Sequence, residues 1–140
     1  MKKLLPLLVL LLLGASALHP TASAQDYRRI TMDEAITMME SETGYILLDV
    51  RTIAEYESGH IPGAICVPNE TISDAEIPEL PDKDQMIFVY CRSGNRSRQA
   101  SAKLAALGYT NIIEFGGINA WPGDVITGQE PYSAEDDTNL

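Results

Sequence analysis

Cys91 closes an apolar run, Met86-Ile87-Phe88-Val89-Tyr90, and opens a short cationic loop, Cys91-Arg92-Ser93-Gly94-Asn95-Arg96. A helical pattern is read from Ser97 onward. This order, strand, thiol, glycine-containing turn, helix start, gathers positive potential around one sulfur atom. An unperturbed thiol has a pKa of about 8.5 and is mostly protonated at neutral pH, but helix N-termini and nearby cations lower that value. Gly94 lets the loop curl with its amides turned inward as an anion nest. The free amides of a helix start at Ser97 add partial positive charge. Arg92 and Arg96 remain charged at any relevant pH. Taken alone, Cys91 reads as a buried cysteine at the end of a core strand. Two arginines, a glycine and a helix start beside it favour chemistry. Cys91 is therefore the candidate nucleophile, and Arg92, Ser93, Gly94, Asn95 and Arg96 are the candidate substrate-binding residues.

Loop length narrows the chemistry. Cysteine-dependent phosphatases carry C-x-x-x-x-x-R, which would place arginine at position 97; here that residue is Ser97 and the arginine is Arg96. The shorter loop predicts a tighter cradle, suited to a sulfur atom carried on the thiol rather than a tetrahedral phosphoryl group.

The elements that must position this loop are legible in the pattern. Tyr27 to Ile30 reads as a first short strand. Thr31 and Glu34 fit a capping box for a helix running to about Glu42. Tyr45-Ile46-Leu47-Leu48 reads as a buried strand ending at Asp49-Val50-Arg51. Thr52 and Glu55 cap a short helix that Gly59 ends. Ile61-Pro62-Gly63 turns into a strand holding Cys66, and residues 69–85 read as a short helix or irregular surface segment. Met86 to Tyr90 is apolar enough to be buried on both faces. Ser97 to Leu107 reads as a helix, with Gly108 ending it. Asn111-Ile112-Ile113 is a further strand, and Gly116-Gly117 opens a last turn leading to Trp121. Strands alternating with helices predict an α/β fold, a parallel central sheet of about four to five strands with helices on both faces. Sites in such sheets form beyond the carboxyl ends of the strands.

The N-terminal segment reads differently. Met1-Lys2-Lys3 precedes an almost continuous leucine run, Leu4 to Leu13, and Ala22-Ser23-Ala24 supplies a small-residue cleavage pattern. We expect residues 1–24 to be a signal peptide, 25–127 the domain, and 128–140 an acidic flexible tail. The expected location is outside the cytoplasm, in the periplasm, with no stable membrane insertion after cleavage. Without Lys2 and Lys3 the chain holds eight basic residues against twenty acidic ones, a net charge of −12. Such a surface argues against nucleic acid as a partner. The remaining positive charge is concentrated at Arg92, Arg96 and Arg98, which suits a small anion. Cys66, in the run Ala64-Ile65-Cys66-Val67, reads as a small buried hydrophobe, with a disulfide or resolving role as the minority reading.

Three separated motifs resemble the rhodanese, or thiosulfate sulfurtransferase, superfamily: Leu47-Leu48-Asp49-Val50-Arg51, Tyr56-Glu57-Ser58-Gly59-His60-Ile61-Pro62-Gly63-Ala64, and the Cys91 to Arg96 loop. Gly116-Gly117 followed by Trp121 supports them, and the resemblance covers roughly residues 28–127 in the single-domain form. It implies a rhodanese-like fold and a double-displacement reaction. Cys91 attacks the outer sulfur of a small anionic donor such as thiosulfate, holds a persulfide, and passes the sulfur to cyanide or a thiol, including a thiol on a protein acceptor. No metal or organic cofactor is implied. Relatives preferring mercaptopyruvate usually have glycine after the cysteine, so Arg92 favours thiosulfate. A non-catalytic persulfide carrier or sulfur-sensing module acting with a protein partner is the alternative. Asp49 and Arg51 are possible supporting residues, although a loop-bracing ion pair is the favoured reading for them. His60 reads as structural.

Overall fold

The computed structural model describes residues 26–132. The signal segment 1–24 with its cleavage site, and residues 133–140 of the expected tail, lie outside the described residues.

Five strands form one parallel sheet: β1 (Arg28–Arg29), β2 (Ile46–Asp49), β3 (Ala64–Cys66), β4 (Ile87–Cys91) and β5 (Ile112–Gly117), in the order β1-β5-β4-β2-β3. Strand β4 lies at the centre and is buried along its whole length. That position explains its apolar run: a strand flanked by strands and covered on both faces meets no water. Its side chains alternate. Ile87, Val89 and Cys91 join one core cluster, with Ala100 and Leu104 of α3 (Asn95–Ala106). Phe88 and Tyr90 join the opposite cluster, with Ala35 of α1 (Met32–Ser41) and Tyr56 of α2 (Ile53–Ser58). Helices thus cover both faces, as the strand–helix alternation predicts.

Helices α1 and α2 both open on capping boxes, Thr31 with Glu34 and Thr52 with Glu55. Two expectations about boundaries are corrected. Helix α3 begins at Asn95 rather than Ser97, because Gly94 takes a left-handed conformation (φ 108°) and turns the chain into the helix two residues early. Strand β5 continues past Ile113 to Gly117, through the buried charged residue Glu114. Residues 69–85 hold a 3₁₀ turn at Asn69–Thr71 and are otherwise irregular.

The segment after residue 125, read in part as the start of a tail, is tied to the domain. His60 and Ile126 exchange backbone hydrogen bonds of 2.9 and 3.0 Å. The Gly128 amide donates to Glu57 O (2.9 Å), and the Gly63 amide donates to Pro131 O (2.7 Å). Residues 126–131 therefore lie against α2 and the turn before β3.

Candidate active site

Cys91 is the last residue of β4, only 1% exposed. Its Sγ accepts a hydrogen bond from the Gly94 amide at 3.0 Å and lies 3.5 Å from Ser97 Oγ. Burial pushes the thiol up, but the Ser97 hydroxyl and the amides of Ser97, Gly94 and Ser93 outweigh it and hold Cys91 below the ordinary thiol value. Hydrogen bonds to the charged form are the leading cause of the lowering.

The loop holds this shape because β5 presses on it. A Cβ at Gly117 would lie 2.1 Å from Arg92 O and 2.4 Å from Ser93 N, so only glycine permits the approach. The Asn119 amide donates to Arg92 O at 3.2 Å. A trans peptide directs its N–H opposite to its C=O. With the Arg92 carbonyl held outward, the Ser93 amide points back toward the sulfur. The left-handed Gly94 packs against Gly116, whose Cα would lie 3.5 Å from an added Cβ.

The two loop arginines differ. Arg96 makes a two-pronged ion pair with Glu55 of α2, at 2.7 and 2.8 Å. The guanidinium holds the Glu55 carboxyl down at about 2. Glu55 also receives the Thr52 amide and hydroxyl at 3.0 Å, so one carboxylate closes the α2 cap and anchors the loop. Arg96, expected among the substrate-binding residues, is paired with Glu55, which offsets its charge and makes it a staple between the loop and α2. Arg92 is exposed and has no ion-pair partner among the described residues; Ser93 and Asn95 flank the turn beside it.

Asp49 and Arg51 form a buried pair. Arg51 Nη2 donates to Asp49 Oδ2 (2.6 Å) and to Gly59 O (2.7 Å), and the Arg51 amide donates to Asp49 Oδ1 (2.9 Å). The guanidinium lies 5.8 Å from the Tyr90 ring centroid, on the face of β4 opposite the Cys91 side chain. The pair braces the end of β2 against the end of α2.

Cys66 is half-buried at the end of β3, where burial, with Asp49 adding repulsion, pushes its thiol up to about 12. Strand β2 lies between β3 and β4, and adjacent strands are about 4.8 Å apart. Cys66 and Cys91 thus sit about 10 Å apart across the sheet, beyond the roughly 7 Å limit for a disulfide, and they point to opposite faces. His60 is fully buried and stacked on Tyr56; its Nδ1 and Nε2 each lie 2.9 Å from a carbonyl oxygen, those of Tyr56 and Glu130. It is structural.

The sequence reading missed Ser97 and Glu114. Ser97 Oγ is fully buried between Gly94 O (3.0 Å), Gly116 O (3.2 Å) and Glu114 Oε1 (2.5 Å). Glu114 is 2% exposed, receives the Gly116 amide at 2.9 Å, and meets Arg29 Nε at 3.3 Å. A glutamate inside the apolar run Ile112-Ile113-Glu114-Phe115 was the signal available.

A thiol held by inward amides, at the carboxyl end of a central parallel strand, defines a site for sulfur-centred nucleophilic chemistry. The rhodanese-like domain family model matches residues 31–124, and the chain belongs to that family. An adenylyltransferase and sulfurtransferase of Candida albicans is 36% identical over 71% of this chain, which spans only 24% of that larger protein. A thiosulfate sulfurtransferase of Pseudomonas syringae is 34% identical, with 69% of this chain and 88% of the relative covered. Among solved structures, a rhodanese with anions from E. coli superposes with a TM-score of 0.55 at 31% identity, over 61% of this chain and all of that one.

Proposed function

We propose that this protein is a sulfurtransferase that moves a sulfane sulfur from thiosulfate, or a similar small anionic donor, to cyanide or a thiol through a persulfide on Cys91. The observation that carries the reading is the Cys91 sulfur itself, held by the Gly94 amide at 3.0 Å with the Ser93 and Ser97 amides beside it. The thiolate attacks the outer sulfur of thiosulfate. A Cys91 S–S bond forms, the S–S bond of the donor breaks, and sulfite leaves with the electron pair. The acceptor then attacks the outer persulfide sulfur and the Cys91 thiolate returns. This is covalent catalysis, and ping-pong kinetics are its signature. The loop amides stabilise the anionic sulfur in both halves of the cycle. Arg92, exposed at the rim, is the cation that attracts the donor.

A second reading has its own support. The Glu55–Arg96 pair removes one of the two charges expected to draw in a dianion. A persulfide carrier that receives sulfur from a protein partner needs less small-anion attraction. The N-terminal leucine run and its small-residue boundary support a location outside the cytoplasm, and N-terminal sequencing of the protein recovered from its native cell tests that.

The deciding experiment is the intact mass of the reduced protein before and after thiosulfate, with Cys91→Ser in parallel. The expected result is gain of one sulfur by the wild type alone, then its loss as thiocyanate on adding cyanide. Absence of an adduct on folded, reduced protein sinks the thiosulfate reading and favours the carrier.

A further inference from the structure

Strand β3 is an edge of the sheet, and among the described residues no strand pairs with its outer side. Cys66, Asp49 and Tyr90 lie in register across β3, β2 and β4, so β3 ends level with the Cys91 loop. Two hollows flank this edge. One, of about 460 Å³, lies between α2 and β3; its lining includes Tyr56, Glu57 and Ile65. The other, of about 380 Å³, lies between the end of β3 and the irregular segment after it; its lining includes Val67, Glu76, Ile77 and Glu79. Ile53 and Cys66 border both hollows. Ile53, at 50% exposure, is the apolar ridge between them.

We propose that this edge docks an extended, cationic segment of a protein thiol that takes the sulfur from Cys91, an inference that rests on the Cys91 sulfur-transfer reading. An unpaired strand edge accepts an added strand through its free backbone groups. The Val67 amide turns inward to Asp49 O, so by alternation the Cys66 amide faces outward. Side chains of an added strand alternate between the two faces of a sheet. Tyr56 belongs to the core on one face, and Val67 and Ile77 to the core on the other, so the two hollows take alternate side chains. An extended chain advances about 3.3 Å per residue, so a cysteine three or four residues beyond the docked segment spans the roughly 10 Å from β3 to β4. Its thiol loses a proton to water, and its sulfur bonds the outer persulfide sulfur. The Cys91 S–S bond breaks, and Cys91 regains the electron pair as thiolate.

Charge selects this occupant. Glu57, Glu76 and Glu79 line the hollows, and no lysine, arginine or histidine is among the described lining residues. A strand bearing lysine or arginine meets opposite charge there, which speeds encounter and rejects acidic partners. A second copy of this chain brings a net charge of −10. Residues 133–140 of the same chain carry Glu135, Asp136 and Asp137 and no basic residue. Like charge disfavours both as occupants. The edge is also tied to the reactive loop: Ile53 shares the first turn of α2 with Glu55, which grips Arg96.

The test is sulfur transfer from the thiosulfate-loaded protein to synthetic peptides, read by mass. The probes are Cys-Gly-Ser-Gly-Val-Lys-Val-Lys-Val, the same peptide with glutamate for lysine, and both in reversed order. In the better orientation the lysine peptide takes sulfur at least about tenfold faster than the glutamate one. Glu76→Lys/Glu79→Lys cuts that preference to within about twofold. Ile53→Ser slows the lysine peptide at least about threefold. Both variants stay within about twofold of wild type toward dithiothreitol, which has no segment to dock. Glu40→Lys/Glu42→Lys, the same charge change at the end of α1, keeps the preference. Equal rates for the two peptides overturn the proposal, as does an equal loss in the α1 variant, the mark of general attraction to an acidic surface. A matching loss toward dithiothreitol overturns it too, because the residues then serve Cys91 itself. So does a dimer in sedimentation that Ile53→Ser splits, which gives the edge to a second copy. If thiosulfate loads no sulfur, the transfer reading fails by itself, and docking is read from amide NMR shifts with serine for cysteine in the lysine peptide. Shifts at Ile53, Cys66 and Val67 uphold the edge as the docking place, and their absence overturns it. The same signals moved by Asp136→Lys/Asp137→Lys assign the edge to the chain's own end and overturn it.

Discussion

Cys66 and Cys91 each end a parallel strand of the same sheet, yet one thiol is pushed up to about 12 and the other is held below its ordinary value. Burial acts in the same sense on both, so it is not the difference. The backbone just beyond each strand decides. After Cys66, the Val67 amide is taken by Asp49 O and the Asn69 amide by Val50 O. Pro68, between them, has no amide to give. The Cys66 thiol is left to donate to Arg51 O at 3.5 Å, beside the Asp49 carboxylate. After Cys91, the turn at Gly94 leaves amides unspent, and they converge on the sulfur. A reactive cysteine here is made by backbone donors that the fold has not used elsewhere.

The sharpest way to break the contrast is exchange of each sulfur for oxygen. Cys91→Ser abolishes sulfur transfer, whereas Cys66→Ser keeps it within about twofold, checked by thiocyanate formation. Loss of transfer in folded Cys66→Ser would restore a two-thiol mechanism. Next is Gly117→Ala, which drives a methyl into the Arg92 carbonyl. Turnover falls on the order of a hundredfold through displacement of the loop, and overpacking destabilises the protein by about 1–3 kcal/mol. A Cys91 alkylation profile equal to wild type would show that the Ser93 amide needs no such support.

The contrast in reactivity can be measured directly. With a thiol pKa of about 12, Cys66 is about one part in ten thousand thiolate at pH 8. Iodoacetamide therefore modifies Cys91 first by at least about a hundredfold, read by peptide mass. The smallest effect concerns the staple. The Glu55 carboxyl is lowered in the folded state to about 2 by Arg96, so its contribution is full above the unfolded value and is lost as pH falls through about 2. Both partners are partly exposed, so screening limits the pair to about 1 kcal/mol or less. Glu55→Gln loses that stability at neutral pH and shows a shallower acid decline between about pH 4.5 and 2, by denaturant titration.

The fold was readable because each element carried its own local cause. The capping residues Thr31 and Thr52 announced two helices, and the apolar β4 could only be a strand covered twice. Cys91 and Gly94 were readable for the same reason, being close in sequence. Contacts between elements were not. Nothing local says that Arg96 will find Glu55, since forty-one positions separate them. Periodicity ended β5 at Ile113 because Glu114 looks polar, and only the packing of α3 shows that Ser97 makes a buried carboxylate tolerable there. The glycines at 116 and 117 were visible, but their purpose depends on a peptide plane in another loop.

The press of Gly117 on the Arg92–Ser93 peptide has a consequence for the life of the chain. Until β5 has docked beside β4, the turn has no wall to hold it, and the two cysteines are chemically alike. Nucleophilicity is thus acquired with the pairing of β5 and β4, not carried from synthesis. An unfolded chain meets oxidants and thiols with two ordinary sulfhydryls, and the rate at which one of them becomes easy to label is a clock for the pairing of β5 with β4.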